Sequence, residues 1–308
     1  MKSINRRSFL RRTGACLLAA PLAPGLCPAV EPFKRTGPPR LRLSLAAYSF
    51  RQYFKETRDR DAAAGGKKID LFDFIDFCAD NGCEGAELTS YYFPKTIDNE
   101  FLVKIHRHAF LRGITISGTA VGNTFTVAEQ PKRQNEIATV KKWIDYAAIM
   151  GAPHIRIFAG TVPKDLSESE AKKLCISAVE ECAKTAGEKG IFLGLENHGG
   201  IVAEPKGILE IIQAIKSPWV GINLDTANFR TDDPYRDVEL CAPYAVNVQV
   251  KSEVHRNGKT EPADLKRMMN ILRKANYQGW VALEYEAKPD PWQEVPRLLK
   301  ELRQILAS

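Results

Sequence analysis

The chain has 308 residues and a formal net charge of +7, with 44 Lys and Arg against 37 Asp and Glu. Five of those bases and no acid lie in the first 30 residues, so the rest of the chain has a charge of about +2. No segment of that rest gathers the basic stripe that a phosphate backbone requires, which excludes nucleic acid as a partner. Of seven Cys residues, five follow residue 30 without zinc-finger spacing, which indicates reduced and mostly buried thiols.

Residues 1–30 have the features of a twin-arginine signal peptide. The segment NRRSFLR at residues 5–11 is typical of that signal, and an apolar run follows at residues 15–26. The run is interrupted by Pro21 and Pro24 and is much shorter than the roughly 20 apolar residues that span a bilayer. We therefore predict export to the periplasm without a stable membrane span, and attachment as a lipoprotein is the alternative.

The chain after residue 30 is one long alternation of strands and helices. Residues 31–40 are rich in Pro and Gly and predict a linker, whereas residues 55–67 predict a flexible loop. From residue 41 onward, short apolar runs alternate with stretches of helical period. The predicted strands are 42–48, 84–89, 114–120, 153–159, 190–196, 219–225, 244–251 and 279–286. The predicted helices are 69–81, 98–112, 132–150, 168–189, 205–216, 234–241, 262–275 and 291–306.

Eight such units predict an α/β fold, a single-domain (β/α)₈ TIM barrel over residues 41–308. An open doubly wound sheet more often stops at five or six strands. Its first strand also leads into a Gly-rich phosphate turn, which this chain lacks. In a TIM barrel the reacting groups lie where the strands end, so those positions are the ones to search for a site.

Polar side chains cluster at the ends of the last four predicted strands. These ends are the segments ENHGG (196–200), NLDTAN (223–228), NVQVKSE (247–253) and LEYE (283–286). Three of the acids, Glu196, Asp225 and Glu284, would repel one another if they met at one barrel mouth. A divalent cation relieves that repulsion, and an all-oxygen set of ligands favours Mn²⁺ or Mg²⁺ over a thiolate-type zinc site.

Segments along the whole chain also resemble one family. They are LAAYSF (45–50), ELTSYYFP (87–94) and IRIFAG (155–160), together with the strand ends above. With them the chain resembles the sugar phosphate isomerase/epimerase family of xylose isomerase-like barrels over essentially its whole length after the signal. The resemblance implies one divalent metal held by a Glu, an Asp, a His and a Glu. The corresponding residues here are Glu196, Asp225, Gln249 and Glu284, with Gln249 where the family usually has His.

Two residues depart from the pattern of the family. A Gln carbonyl is a weaker donor than imidazole, so Gln249 favours Mn²⁺ or Mg²⁺ over Zn²⁺. A similar Glu/Asp/Gln/Glu set occurs among relatives that act as dehydratases, including the dehydroshikimate type. Asn228 stands where sugar epimerases often have a substrate-binding His, and its amide does not titrate near neutral pH.

The resemblance and the strand-end residues together predict a divalent-metal-dependent isomerase or epimerase. Such an enzyme acts on a keto-sugar or related polyol by abstracting an α-proton, through an enediolate that the metal stabilises. Glu196 and Glu284 are the candidate bases, and Lys251, His198 and His255 are the candidate acids for a departing oxygen. The candidate substrate-binding residues are Tyr48, Glu87, Arg156, His198, Asn228 and His255.

Other functions are compatible with the same residues. A hydro-lyase or hydratase acting on a 3-keto-sugar or a dehydroshikimate-like substrate also begins by abstracting an α-proton. A non-catalytic sugar-binding barrel requires no chemical step. An apurinic endonuclease of this barrel type requires a His-rich trinuclear metal set, for which five His residues are too few. Structural roles also stay open, such as an ion pair for Arg156 or hydrogen-bond support for Gln249. The expected partner is a small carbohydrate, and a homo-oligomer is compatible with the sequence.

Overall fold

The computed structural model describes residues 30–57 and 66–308. The predicted signal peptide, except its last residue, lies outside the described residues, and so does the centre of the loop predicted at residues 55–67. The strands are β1 Arg40–Ala46, β2 Gly85–Thr89, β3 Thr115–Ala120, β4 His154–Ile157, β5 Phe192–Glu196, β6 Val220–Asp225, β7 Ala245–Val250, β8 Glu253–Arg256, β9 Lys259–Pro262 and β10 Gln278–Leu283. The helices are α1 Leu71–Asp80, α2 Asn99–Leu111, α3 Gln130–Met150, α4 Glu168–Lys189, α5 Pro205–Ala214, α6 Pro234–Cys241, α7 Leu265–Lys274 and α8 Pro291–Ala307.

Eight parallel strands close into a barrel in the order β1-β10-β7-β6-β5-β4-β3-β2. Strand β1 closes it, because it pairs with β2 on one side and with β10 on the other. All six residues of β6 are buried, as expected for a strand between a filled interior and a layer of helices. The predicted (β/α)₈ barrel is confirmed, and each of the eight predicted strands and helices is present within a few residues of its predicted bounds.

The helices begin and end at residues that suit those positions. The Asp70 side chain accepts hydrogen bonds from the first backbone N–H groups of α1, and Ser167 with Glu170 forms the same kind of cap on α4. Gly151 and Gly190 follow α3 and α4 with φ of 75° and 69°, a region that glycine occupies without a steric penalty. In the part of the chain described, no helix is long and apolar enough to cross a membrane.

The segment at residues 30–37 lies across the amino-terminal end of the barrel. The Val30 N–H donates to the Ile215 carbonyl at 2.9 Å, just before β6. The Phe33 ring meets the Phe192 ring edge to face at 5.9 Å, at the first residue of β5. The Arg35 guanidinium lies over the rings of Phe33 and Tyr277, at 5.0 and 5.1 Å from their centroids. The residues predicted as a linker therefore cover the amino-terminal end of the barrel.

Strands β8 and β9 form an antiparallel hairpin outside the barrel, at the end that carries the site. Asn257 and Gly258 make its turn with φ of 50° and 72°, which is the pairing that a tight hairpin favours. The sequence pattern predicts no strands between residues 252 and 262. Both strands are short and mostly polar, so they lack the alternating apolar pattern that identifies a half-buried strand.

Candidate active site

Four charged side chains meet at the carboxyl-terminal end of the barrel. Glu196 and Asp225 are the last residues of β5 and β6, while Lys251 and Glu284 directly follow β7 and β10. Their exposed fractions are 4%, 0%, 6% and 8%, respectively. Buried charges are costly unless each is paired, so the partners of these four groups define what the site can do.

The Lys251 ammonium is the positive centre of the cluster. Its Nζ lies 3.2 Å from Asp225 Oδ2, 3.1 Å from Glu284 Oε1 and 2.5 Å from Glu286 Oε2. The contact with Asp225 is an ion pair without hydrogen-bond geometry, because Asp225 Oδ2 is buried and has no hydrogen-bond partner. One ammonium therefore faces three carboxylates, which leaves the cluster short of positive charge.

Glu196 is held by groups other than Lys251. Its Oε2 lies 2.9 Å from Arg156 Nε, and its Oε1 accepts a hydrogen bond from Asn228 Nδ2 at 2.9 Å. The His198 ring contacts the same Oε1 through Nδ1 at 3.0 Å. Burial raises the pKa of Glu196, but the charge of Arg156 and the hydrogen bond from His198 outweigh burial and lower that pKa below its ordinary value. Glu196 is therefore the ionised carboxylate of the cluster.

Asp225 and Glu284 are in the opposite electrostatic situation. Burial raises the pKa of Glu284 to about 8, and repulsion from Glu286, Asp225 and Glu196 adds to that effect while Lys251 opposes it. Burial and the nearby Glu196 also raise the pKa of Asp225 to about 6. The two carboxyls compete for a single ammonium, so the cluster favours an additional proton or cation at neutral pH.

A second polar group fills the barrel below the cluster. Gln249 Nε2 donates to Glu87 Oε1 at 2.6 Å, and Gln249 Oε1 accepts from Asn223 Nδ2 at 2.6 Å. Asn247 Nδ2 lies 2.7 Å from Glu87 Oε2 and 2.8 Å from Asn223 Oδ1. Burial raises the pKa of Glu87 to about 7, although the hydrogen bonds from Gln249 and Asn247 oppose the shift. Glu87 is fully buried inside the barrel, and both ends of the Gln249 amide have partners.

A cavity of about 720 Å³ opens beside the cluster. Tyr48, Lys251, His255 and Glu286 are among its lining residues, so it connects the buried charges with two of the predicted substrate-binding residues. His255 lies on the hairpin, where its Nδ1 is 3.0 Å from Thr260 Oγ1. The remaining predicted residues do not line this cavity: Arg156, His198 and Asn228 contact Glu196, and Glu87 contacts Gln249, with Arg156 and Glu87 buried and His198 exposed.

The structure adds residues that the sequence analysis did not select. Glu286 is the nearest partner of Lys251, and its i, i+2 spacing from Glu284 in LEYE was the available signal. Asn197 brackets Asp225, because its Nδ2 donates to the Asp225 carbonyl and its Oδ1 accepts from the Asp225 N–H, both at 2.9 Å. No pattern in the sequence indicates that Asn197 holds the backbone of Asp225, because the contact joins two neighbouring strands.

The described residues contain no ready-made cluster of three His, Cys, Asp or Glu side chains arranged to hold a metal ion. The acids of the cluster are paired with two basic side chains instead. Lys251 lies among Asp225, Glu284 and Glu286, and Arg156 pairs with Glu196. Asp225 Oδ2 nevertheless remains without a hydrogen bond, and the acids outnumber the bases. The donor chemistry therefore fits a hard divalent ion, provided that the Lys251 ammonium shifts toward Glu286.

A model of the Xylose isomerase-like TIM barrel family matches residues 75–302. That match covers most of the chain, and the protein therefore belongs to this family. It includes the four strand ends that carry the charged cluster.

Individual relatives are distant in sequence and similar in fold. The chain is 22% identical to a putative hydroxypyruvate isomerase of Homo sapiens over 228 residues, which cover 68% of this chain and 82% of that protein. An L-ribulose 3-epimerase structure superposes with a TM-score of 0.69 at 14% identity, over 87% of this chain and 93% of the other. A structure of the IOLI protein with a bound zinc atom superposes with a TM-score of 0.68 at 15% identity, over 86% of this chain and 98% of the other.

Proposed function

We propose that the protein is a divalent-metal-dependent isomerase or epimerase that acts on a keto-sugar or a related polyol. The observation that carries the proposal is the group of three buried carboxylates, Glu196, Asp225 and Glu284, at the mouth of the barrel beside a cavity of about 720 Å³. The proposal is supported by the relatives, which include a protein named as a putative hydroxypyruvate isomerase and an L-ribulose 3-epimerase. The TIM-barrel fold also places active sites at this end of its strands.

The metal is held in this proposal by Glu196, Asp225 and Glu284, with the Gln249 carbonyl as the fourth donor. A bound Mn²⁺ or Mg²⁺ supplies Lewis-acid polarisation of a carbonyl group and positive charge beside it. Gln249 Oε1 accepts one hydrogen bond, from Asn223, and its second lone pair is the one that would bind the metal. Asp225 Oδ2 has no hydrogen bond, but it faces the Lys251 ammonium at 3.2 Å, so that ammonium must shift toward Glu286.

The protein's own carboxylates move the proton. Glu196 is ionised and oriented by Arg156 and Asn228, so it is suited to remove a proton from the carbon next to a carbonyl. Glu284 directly follows β10 and is the second carboxylate of the cluster that is suited to exchange a proton with the substrate. One carboxylate can then remove the proton while the other returns one.

A hydro-lyase or hydratase of a 3-keto-sugar is the second candidate function. The observation that favours it is the position of Lys251, which contacts Glu284 and Glu286 and lines the cavity. An ammonium at that place can donate a proton to a hydroxyl group that leaves the carbon next to the site of proton removal. Both candidates share the first proton abstraction by Glu196.

The test combines metal content with exchange of substrate protons for solvent deuterium. Purified protein and the Asp225→Asn variant are analysed for bound metal after incubation with Mn²⁺, and both are given a panel of keto-sugars in D₂O. We expect one equivalent of Mn²⁺ and deuterium at a carbon next to the carbonyl in the unchanged protein, and neither in Asp225→Asn. Glu239→Gln, which alters an exposed acid on α6, is the matched control and should behave like the unchanged protein.

The products separate the two candidates. An epimer or isomer with deuterium at the exchanged carbon supports the first, whereas an unsaturated product or its hydrate supports the second. Protein that binds the sugars but exchanges no proton with or without metal would contradict both and indicate a sugar-binding barrel.

We further propose that the protein is exported by the twin-arginine route and is periplasmic. The support is the NRRSFLR segment at residues 5–11 and the short apolar run behind it. Replacement of Arg6 and Arg7 by Lys should retain the precursor inside the cell, as measured by fractionation with an antibody. Export that continues unchanged in that variant would contradict the proposal.

A further inference from the structure

Helix α1 ends in a Schellman motif. The Gly82 N–H donates to the Ala79 carbonyl and the Cys83 N–H donates to the Cys78 carbonyl, both at 3.0 Å. Gly82 has a φ of 70°, the left-handed conformation that this motif requires. In a Schellman motif the two residues joined by the longer hydrogen bond also place their side chains together, and that contact is usually apolar. Here the two residues are Cys78 and Cys83.

Other helices of this barrel show what normally occupies the two positions. The equivalent hydrogen bond closes four more helices, at 2.9 to 3.0 Å, and the paired side chains there are buried and apolar. The pairs are Ala109 with Ile114 after α2, Ala147 with Ala152 after α3, Ala186 with Ile191 after α4, and Leu272 with Tyr277 after α7. Helix α1 therefore has two thiols where these helices have apolar side chains.

The two thiols are close enough to interact. Burial raises the pKa of Cys78 well above its ordinary value, and a hydrogen bond with the Cys83 side chain adds to that effect. Cys78 is fully buried, whereas Cys83 is 7% exposed at the edge of the turn. Cys175 and Cys182 are also buried, but they lie seven residues apart on α4. That spacing corresponds to roughly 10 Å along a helix, too far for a disulfide.

We propose that Cys78 and Cys83 form a disulfide when the folded protein meets a disulfide oxidant, such as oxidised glutathione or a thiol–disulfide oxidoreductase. Cys83, the more exposed thiol, attacks the oxidant as its thiolate and releases one thiol of the oxidant. The Cys78 sulfur then attacks the mixed disulfide and releases the second. The two protons of Cys78 and Cys83 pass to the two released thiolates, so one disulfide forms and one is reduced. Twin-arginine export, which the sequence predicts, delivers the protein to a compartment where such oxidants act.

The disulfide would fasten the amino-terminal face of the barrel. The turn between α1 and β2 already receives a hydrogen bond from Arg303 of α8, whose Nη2 donates to the Asn81 carbonyl at 2.6 Å. Closure of so short a loop removes little entropy from the unfolded chain, so we expect a melting temperature higher by roughly 3 °C. The turn lies at the opposite end of the strands from Glu196 and Asp225, so substrate turnover should not depend on the oxidation state.

Peptide mass analysis of the full-length protein tests the proposal directly. The chain has no Lys or Arg between Lys68 and Lys95, so trypsin leaves Cys78 and Cys83 on one peptide. The protein is reduced, freed of reductant, incubated with oxidised glutathione, alkylated with N-ethylmaleimide and digested. We expect residues 69–95 to lack both alkyl groups and to weigh about 2 Da less than the reduced peptide, since two hydrogens leave. The melting temperature should rise in the same sample.

Two variants serve as controls. The double variant Cys78→Ala with Cys83→Ile copies the pairs after α2 and α4, so it should fold and show no melting-temperature response to oxidised glutathione. Cys241→Ala, which removes a buried thiol elsewhere, should keep both the mass change and the response. The proposal is overturned if peptide 69–95 stays doubly alkylated, or if it stops at a glutathione adduct on Cys83. A rise in melting temperature that persists in the double variant would also contradict it.

Discussion

The two ends of the barrel differ in how their buried groups are paired. At the carboxyl-terminal end, Asp225, Glu284 and Glu286 share the ammonium of Lys251, and one carboxylate oxygen has no hydrogen bond. At the amino-terminal end, residues 30–37 cover the strands, and the helices close through buried apolar or thiol pairs. The first end has an excess of buried acids beside a cavity of about 720 Å³, whereas the second is covered by residues 30–37 and has a cavity of about 360 Å³ beside Phe33 and Phe192. Chemistry is therefore expected at the first end, and a contribution to the stability of the barrel at the second.

The largest effect on activity should come from Glu196, the proposed base at the carboxyl-terminal end of the barrel. Glu196→Gln keeps the shape of the side chain but removes the charge that faces Arg156. We expect the rate of deuterium exchange into a keto-sugar substrate to fall roughly a thousandfold, because a positioned general base contributes that much. The measurement is exchange followed by NMR, with Glu239→Gln as the control. A variant that exchanges at the original rate would remove Glu196 from the chemistry.

The next largest effect should come from the shared cation. Lys251→Met removes the ammonium among Asp225, Glu284 and Glu286, and leaves the two buried carboxyls, those of Asp225 and Glu284, without their positive partner. Loss of one member of a buried ion pair costs about 3 to 5 kcal/mol, so the free energy of unfolding should fall by about 3 kcal/mol. Urea denaturation in the presence of EDTA measures it. Lys288→Met, an exposed lysine on the same cavity, should leave stability unchanged.

A substitution at the amino-terminal end of the barrel should change stability but not activity. Phe33→Ala removes the ring that contacts Phe192 and Arg35, and because the ring is half-buried we expect a loss of about 2 kcal/mol of unfolding free energy. The exchange rate at the other end should be unchanged. Phe110→Ala, on a ring that is 76% exposed, is the matched control. Equal losses in both variants would show that residues 30–37 do not stabilise the barrel.

The smallest effect, measured per pH unit, is a change in the slope of stability against pH, for which Glu284 at the carboxyl-terminal end is the main group. The pKa of Glu284 is raised from 4.5 to about 8, so the folded protein binds a proton that the unfolded chain releases. Stability is therefore highest below about pH 4.5 for this group and falls as pH rises toward 8, by at most about 1.4 kcal/mol per pH unit. In metal-free Glu284→Gln that slope should become shallower between pH 5 and 8. Glu87, Asp225 and His198, whose pKa values are also raised, contribute a slope of the same sign, and His154, whose pKa is lowered to about 4, contributes one of the opposite sign.

The sequence predicted the barrel because each strand and helix has a local periodic pattern. Hydrophobic alternation and helical period are properties of ten or twenty neighbouring residues, and eight repeats of the unit leave few alternative folds. The hairpin at residues 253–262 was missed because its strands are polar, although Asn257-Gly258 was a recognisable turn signal. The strand-end rule also selected Glu196, Asp225, Lys251 and Glu284, which the structure brings together.

The tertiary structure alone decided how those groups are paired. Gln249 contacts Glu87 from a position 162 residues away, and closure of β1 onto β10 sets the circle of strands that brings them together. Such contacts depend on the order and register of all the strands, which no local pattern specifies. The sequence by itself therefore determined the barrel and the positions that carry its polar groups. Only the closed barrel decided that Lys251 is shared by three acids and that residues 30–37 cover the opposite end, because those partners meet through distant parts of the chain.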